Sequence, residues 1–154
     1  MRRKGGKYMK KYQYLVERTC PMCKKDTFKK LTREEFNQYA SYVCYGDPIQ
    51  KKLTLSDKFG REFFKTGYCP SCQEVLFNSK LANKSEYFTE DSIRENVVKI
   101  FIKEKEKEKM TWSKALQSDI ADMLTANEKL LILLELDLMD EFYLDENGQV
   151  KAVE

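Results

Sequence analysis

Two Cys-Pro-x-Cys units, Cys20-Pro21-Met22-Cys23 and Cys69-Pro70-Ser71-Cys72, stand 45 residues apart and restrict this chain more than any other feature. Two residues between cysteines let both thiolates face one ion from a tight turn. Two such turns complete a tetrahedral four-thiolate shell. Proline after each first cysteine fixes φ inside the turn. The expectation is one structural Zn2+ per chain on Cys20, Cys23, Cys69 and Cys72; an iron–sulfur cluster is the other cofactor these ligands can take. Four thiolates close the shell, so the ion keeps no position for a catalytic water. Zinc knuckles often place glycine after the second cysteine, to allow a positive φ. Lys24 and Gln73 stand there instead.

Disulfides need an oxidising compartment, and the basic start Met1-Arg2-Arg3-Lys4 leads into no apolar signal region. The expected location is the cytoplasm. A thiol-redox protein stays open as an alternative, because Cys69-x-x-Cys72 precedes a helical pattern. Cys44 is unpaired, follows Val43 at a helix end, and reads as a small core residue. The chain contains no histidine, which removes His-based acid–base chemistry, Ser–His and Cys–His nucleophile pairs and His-ligated metal sites. No nucleophile–base pair or phosphate-binding glycine loop is visible either. The chain therefore reads as a non-enzyme.

A net charge of +3 hides a polarised chain. Residues 1–88 carry 19 basic and 9 acidic side chains, 89–110 carry 6 of each, and 111–154 carry 3 basic against 10 acidic. A basic half attracts phosphate, so candidate nucleic-acid contacts are Lys10, Lys11, Lys24, Lys25, Lys29, Lys30, Lys51 and Lys52, with Arg2 and Arg3 beside them. Lysine outnumbers arginine 22 to 6, so such binding is expected to ignore sequence. The bland alternative is two solvated faces of opposite sign. No run approaches the ~20 apolar residues of a membrane span.

The periodicities predict an α+β fold: an N-terminal knuckle hairpin with inserted helices, then a helical segment ending in a β-hairpin. Residues 1–10 read as a basic tail, 11–82 as the four-cysteine zinc-binding domain, and 83–154 as a helical domain. Strands are expected over 11–19, where Tyr12, Tyr14 and Val16 alternate with Gln13 and Glu17, and over 26–31. Thr32-Arg33-Glu34-Glu35 is a capping box for a helix with Phe36, Tyr39, Ala40 and Val43 on one face and Gly46 as its stop. Pro48 to Leu53 reads as a short helix. Another, capped by Ser56 or Asp57, carries Phe59, Phe63 and Phe64 and ends at Gly67; Gln73 to Phe77 forms one more. Residues 78–88 read as a polar connection. Thr89 is expected to cap a helix with Ile93, Val97, Ile100 and Phe101 on its face, and Trp112 to Leu124 forms the next. Thr125 and Glu128 make a second capping box. The helix they open is apolar on most faces, and Leu130, Leu131, Leu133, Leu134 and Leu138 are its candidate interface, for a partner or for a homodimer. Asn147-Gly148 suggests a hairpin with a type I′ turn.

Over residues 20–78 the chain resembles small four-cysteine zinc-binding proteins of phages and prophages, of treble-clef or zinc-ribbon-like arrangement. The resemblance rests on the CPxC, a helix with Phe36 and Tyr39, then Gly46, Ile49 and Gln50, then Leu55, Ser56, Arg61 and Glu62. It closes with Gly67, Cys69, Cys72, Leu76 and Phe77. It implies a zinc-stabilised fold and a mobile-element origin, and no catalytic activity. The expected function is a binding protein that modulates or inhibits a host protein or protein–nucleic-acid complex in a bacterial cell, such as RNA polymerase or a CRISPR or other defence nuclease. The alternative is a DNA-binding regulator, since three helices and a hairpin resemble a winged helix. Against it, the would-be recognition helix region carries Glu128, Glu135, Asp137 and Asp140 with only Lys129.

Overall fold

The computed structural model describes residues 10–45, 53–80 and 84–153. They form a mixed α/β fold of six α-helices and five strands, and every strand pairing of described register is antiparallel. Two compact units divide the chain. One spans Tyr14–Ser92; the other joins Ile93–Glu154 to the N-terminal Met1–Gln13.

The first unit holds all four paired cysteines. Strand β1 (Tyr12–Thr19) crosses into it, followed by β2 (Asp26–Thr32), α1 (Arg33–Tyr45), α2 (Lys58–Thr66), α3 (Pro70–Phe77) and β3 (Tyr87–Thr89). The strand order here is β3-β2-β1, with Thr27, Phe28 and Lys29 opposite Thr89, Phe88 and Tyr87. The Thr32 capping box forms as expected: the Thr32 amide donates to Glu35 Oε1 at 2.9 Å, and the Glu35 amide to Thr32 Oγ1 at 3.2 Å. Asp57 caps α2 by accepting from the Gly60 amide at 2.8 Å. Gly67 ends α2 at φ +87°, where a Cβ would lie 3.1 Å from the Thr19 carbonyl. Only glycine fits that turn without strain.

The core of this unit is Val16, Leu31, Leu53, Phe63 and Phe64, with Tyr14, Phe36, Tyr39, Tyr42 and Tyr87 packed against it. Tyr14 stacks on Phe36 at 4.3 Å between centroids, and Tyr39 lies 4.7 Å from Phe64. The face of α1 turned to this core is thus Phe36-Tyr39-Tyr42, each half-buried, and Val43, expected on that face, is exposed. Cys44 is exposed as well, on the last turn of the helix, so it is not a core residue. The helix expected over 48–53 lies outside the described residues, apart from Leu53, which is buried in the core. Residues 78–88 are more than a polar connection, since Tyr87 and Phe88 begin a strand on β2. Lys29 holds it there: its ammonium reaches Glu86 at 2.9 Å and stands 5.0 Å from the centroid of the Tyr87 ring. The unit accordingly runs on to Ser92, past the domain end expected at residue 82.

The second unit contains α4 (Glu95–Lys107), α5 (Trp112–Leu116), a 3-10 turn (Asp119–Met123), α6 (Ala126–Glu135), β4 (Phe142–Leu144) and β5 (Val150–Ala152). Phe142 pairs with Ala152 and Leu144 with Val150, and Tyr12 pairs with Leu144 on the other side of β4. Gln13 was expected on the polar side of β1. It is buried, because its side-chain amide donates to the Met139 carbonyl at 3.0 Å. Thr89 lies in β3 and does not cap α4, whose N-cap position is Arg94. Phe101 is fully buried on α4, whereas Ile100 faces outward. The helix expected over 112–124 breaks after Leu116: the Ser118 hydroxyl donates to the Ala115 carbonyl at 2.8 Å, competing with the backbone ladder. In the β4–β5 loop the left-handed residue is Gly148 (φ +79°) and Asn147 is not one. A type I′ turn needs both. The Asp145 carboxylate accepts from the amides of Asn147 and Gln149 at 2.9 Å each and closes a longer loop.

Candidate metal centre

The first knuckle is the β1–β2 turn. The Cys20 amide donates to the Lys25 carbonyl at 2.9 Å, and the Lys24 amide returns to the Cys20 carbonyl at 2.8 Å. Lys24 therefore sits at φ +66°, in the conformation that glycine takes most easily. The second knuckle is built differently. Cys69 is the N-cap of α3 with Pro70 as its first residue, a position where a missing N–H costs nothing. Gln73 explains why no glycine is needed here. It is helical and buried, and its side-chain amide donates to the carbonyls of Phe59 at 3.0 Å and Tyr68 at 2.9 Å. That ties the first turn of α3 to the first turn of α2 at Phe59 and to the α2–α3 connection at Tyr68.

The four sulfurs of Cys20, Cys23, Cys69 and Cys72 all lie within 4.8 Å of one another, close enough to hold a metal ion. Cys23 and Cys69 are 3.7 Å apart across the two knuckles. A tetrahedron with Zn–S arms of about 2.3 Å has edges of about 3.8 Å, so the set fits that ion. Burial raises the Cys20 thiol, but the amides of Cys23, Cys69 and Met22 outweigh it and hold the group at about 6. Burial pushes Cys69 up. Burial, and then the neighbouring thiols, push Cys72 up strongly. Four thiolates crowded this closely ionise together only around a cation. Cys20 and Cys69 are buried, while Cys23 is exposed and Cys72 half-buried. The four-sulfur grouping differs from the single dithiol of a thiol-redox site, and Cys44 is not part of it.

The lysines expected to meet nucleic acid do not form one set. Lys29 and Lys30 are buried in β2, Lys29 on Glu86, and burial lowers the Lys30 pKa. Neither is free for phosphate. The order of charges along β2 could not reveal this, because the compensating Glu86 stands just before β3, far away in sequence. Lys24 and Lys25 are exposed at the first knuckle, with Lys25 4.0 Å from Asp91. Lys10 and Lys11 belong to the other unit. The Lys10 backbone amide donates to Glu146 at 2.6 Å, and the Lys11 ammonium lies 5.1 Å from the centroid of the Tyr143 ring. Lys51 and Lys52 lie outside the described residues.

The leucine set divides too. Leu130 and Leu133 have no exposed surface in the single chain and cannot centre an interface. Leu131 and Leu138 are half-buried, and Leu134 is exposed. On the same helix, buried Lys129 donates to the Gly148 carbonyl at 2.9 Å, so α6 offers no cation to DNA. No described helix is long and apolar enough to cross a membrane. Compared with family models, curated proteins and solved structures, the chain matches none.

Proposed function

We propose that this chain is a non-catalytic binding protein, stiffened by one zinc ion, that presents an apolar surface to a protein partner. The observation that carries the reading is α3. Val75 is 74% exposed, Leu76 and Phe77 are each 46% exposed, and Met22 at the tip of the first knuckle is 49% exposed. Single exposed apolar residues are ordinary, but three in succession on one helix mark a surface that gains from being covered. The first turn of that helix supplies Cys69 and Cys72, so a bound metal would hold it rigid before any partner arrives. Pre-organisation of that kind lowers the ordering cost of association. The zinc shell would use all four thiolates and take no part in chemistry. The phage-like pattern over residues 20–78 favours a bacterial host machine as the target, such as RNA polymerase or a defence nuclease, modulated or inhibited by docking. The test is capture from a bacterial lysate, with and without nuclease, by the wild-type chain and by Phe77→Asp. A nuclease-resistant protein partner lost in F77D is expected. Capture that disappears with nuclease would replace this reading with nucleic-acid binding.

A further inference from the structure

We infer that the four-sulfur centre is a peroxide-sensitive switch: hydrogen peroxide oxidises Cys23, Cys69 closes a disulfide on it, and the centre releases its zinc ion. This deepens the reading above and rests on its zinc ion. The four sulfurs are covered unequally, and that selects the residues. Cys20 has no exposed surface, and its sulfur accepts from the amides of Met22, Cys23 and Cys69. Cys69, the N-cap of α3, is buried, and Cys72 is half-buried. Cys23, which ends the first Cys-Pro-x-Cys unit, is exposed. An accessible thiolate beside a second cysteine that can resolve its oxidised form is the arrangement redox sensors use. A cavity brings the oxidant to the sulfurs. It has a volume of about 320 Å3 and is lined by Cys23, Cys69 and Cys72, but not by Cys20. Lys25 and Ser71 on its wall are exposed, so it opens to solvent. A water molecule takes about 30 Å3 of liquid, and hydrogen peroxide, little larger, has ample room.

A metal-held cysteine is a thiolate. The Cys23 sulfur attacks one peroxide oxygen, the O–O bond breaks and hydroxide leaves, which makes Cys23 a sulfenic acid. The Cys69 thiolate, 3.7 Å from the Cys23 sulfur, then attacks that sulfur, forms the S–S bond and expels the second hydroxide. Two protons from solvent turn both hydroxides into water. Two electrons have passed from the sulfurs to the peroxide. Cys20 and Cys72 remain as two thiolates, too few to complete a tetrahedral shell. Oxidation thus consumes the shell rather than using it to turn over a substrate. One S–S bond replaces four metal bonds, and the Cys72 side of the first turn of α3 is no longer held. The exposed Val75-Leu76-Phe77 strip on that helix loses its rigid base. Cys44 is exposed as well, but it stands outside the four-sulfur group.

The test uses the full-length chain with Cys44→Ser, an exposed change outside the group, purified with its zinc. Excess hydrogen peroxide is added with a zinc-binding dye as reporter, and a parallel sample contains dimedone, which traps sulfenic acids. The expected result is release of one zinc per chain, with dimedone on Cys23 and a Cys23–Cys69 disulfide on peptide mapping. The tyrosine near-ultraviolet signal should fall with the ion, and dithiothreitol with added zinc should restore it. A chain that keeps its zinc in peroxide, or that purifies without metal, would overturn the inference. Dimedone first on another cysteine, or a disulfide inside one Cys-Pro-x-Cys unit, would overturn it as well. The two readings fail separately: a lysate partner captured by a chain whose zinc resists peroxide removes the switch alone, and zinc release without a lysate partner removes the docking function alone.

Discussion

The cysteine-bearing unit converges on four sulfurs, whereas the unit of α4 to β5 closes around Phe101, Leu130 and Leu133 and buries one carboxylate, Glu128. Among the described residues, both side-chain groups close enough to hold a cation lie in the former: the four cysteines, and Glu17, Asp26 and Glu90. The cysteine-bearing unit also buries two lysines and leaves α3 outside its apolar core. The other unit buries one lysine, Lys129, whose ammonium donates to the Gly148 carbonyl, and the carboxylate of Glu128. Glu128 accepts from the Thr125 amide at 2.8 Å, completing its capping box, and from the Arg94 amide and guanidinium at 2.7 to 2.9 Å. A metal ion on the four sulfurs would lend one unit a cross-link; the other relies on packing and caps.

Removing the cross-link should separate the two most sharply. A structural zinc contributes on the order of 10 kcal/mol to a small module, more than a unit of this size can spare. Chelation, or Cys69→Ser, should therefore abolish the tyrosine near-ultraviolet signal of the Tyr14–Ser92 unit. Trp112 emission should stay native-like, because Trp112 lies in the other unit. Simultaneous loss of both signals would show that the units do not stand apart.

The features legible in the sequence were local ones. The cysteine pairs, Thr32 with Glu35, Asp57, and Thr125 with Glu128 each act within a few residues, so spacing alone exposes them. Strand β3 escaped because three residues carry no periodicity and their partner β2 is distant in sequence. The burial of Lys29 and Lys30 escaped for the same reason, since it depends on that pairing. The leucine helix was legible as apolar, but whether its faces met the chain or a partner depended on how α4 and the β4–β5 hairpin lay around it.

The second way to test the contrast is acid. Burial would raise the Glu128 carboxyl, but the Arg94 side chain and the amides of Thr125 and Arg94 prevail and hold it at about 2, below the ordinary 4.5. A depressed carboxylate contributes stability above its unfolded pKa and loses it as pH falls toward the folded one. The unit reported by Trp112 should thus weaken between about pH 4.5 and 2, by on the order of 2 kcal/mol after allowance for solvent screening. Glu128→Gln should flatten that segment of a denaturation-versus-pH curve, and an unchanged slope would contradict the network.

The smallest effect belongs to the first knuckle. Lys24→Gly removes a side chain from a left-handed position and should stabilise the cysteine-bearing unit by about 0.5–1 kcal/mol. Its thermal midpoint should rise while the Trp112 transition stays fixed. A drop would mean that the lysine side chain contributes more than its backbone strain costs.

Strand β1 has a consequence in time. Its first residues, and Lys10 just before them, belong with residues 139–146: Tyr12 pairs with Leu144, Gln13 reaches Met139, and Lys10 reaches Glu146. On a ribosome those partners emerge after Cys72 and Ser92. The contiguous unit can fold while synthesis continues, and residues 10–13 meet the hairpin only after it has been made. The β1–β4 edge of the sheet is thus the later one to close.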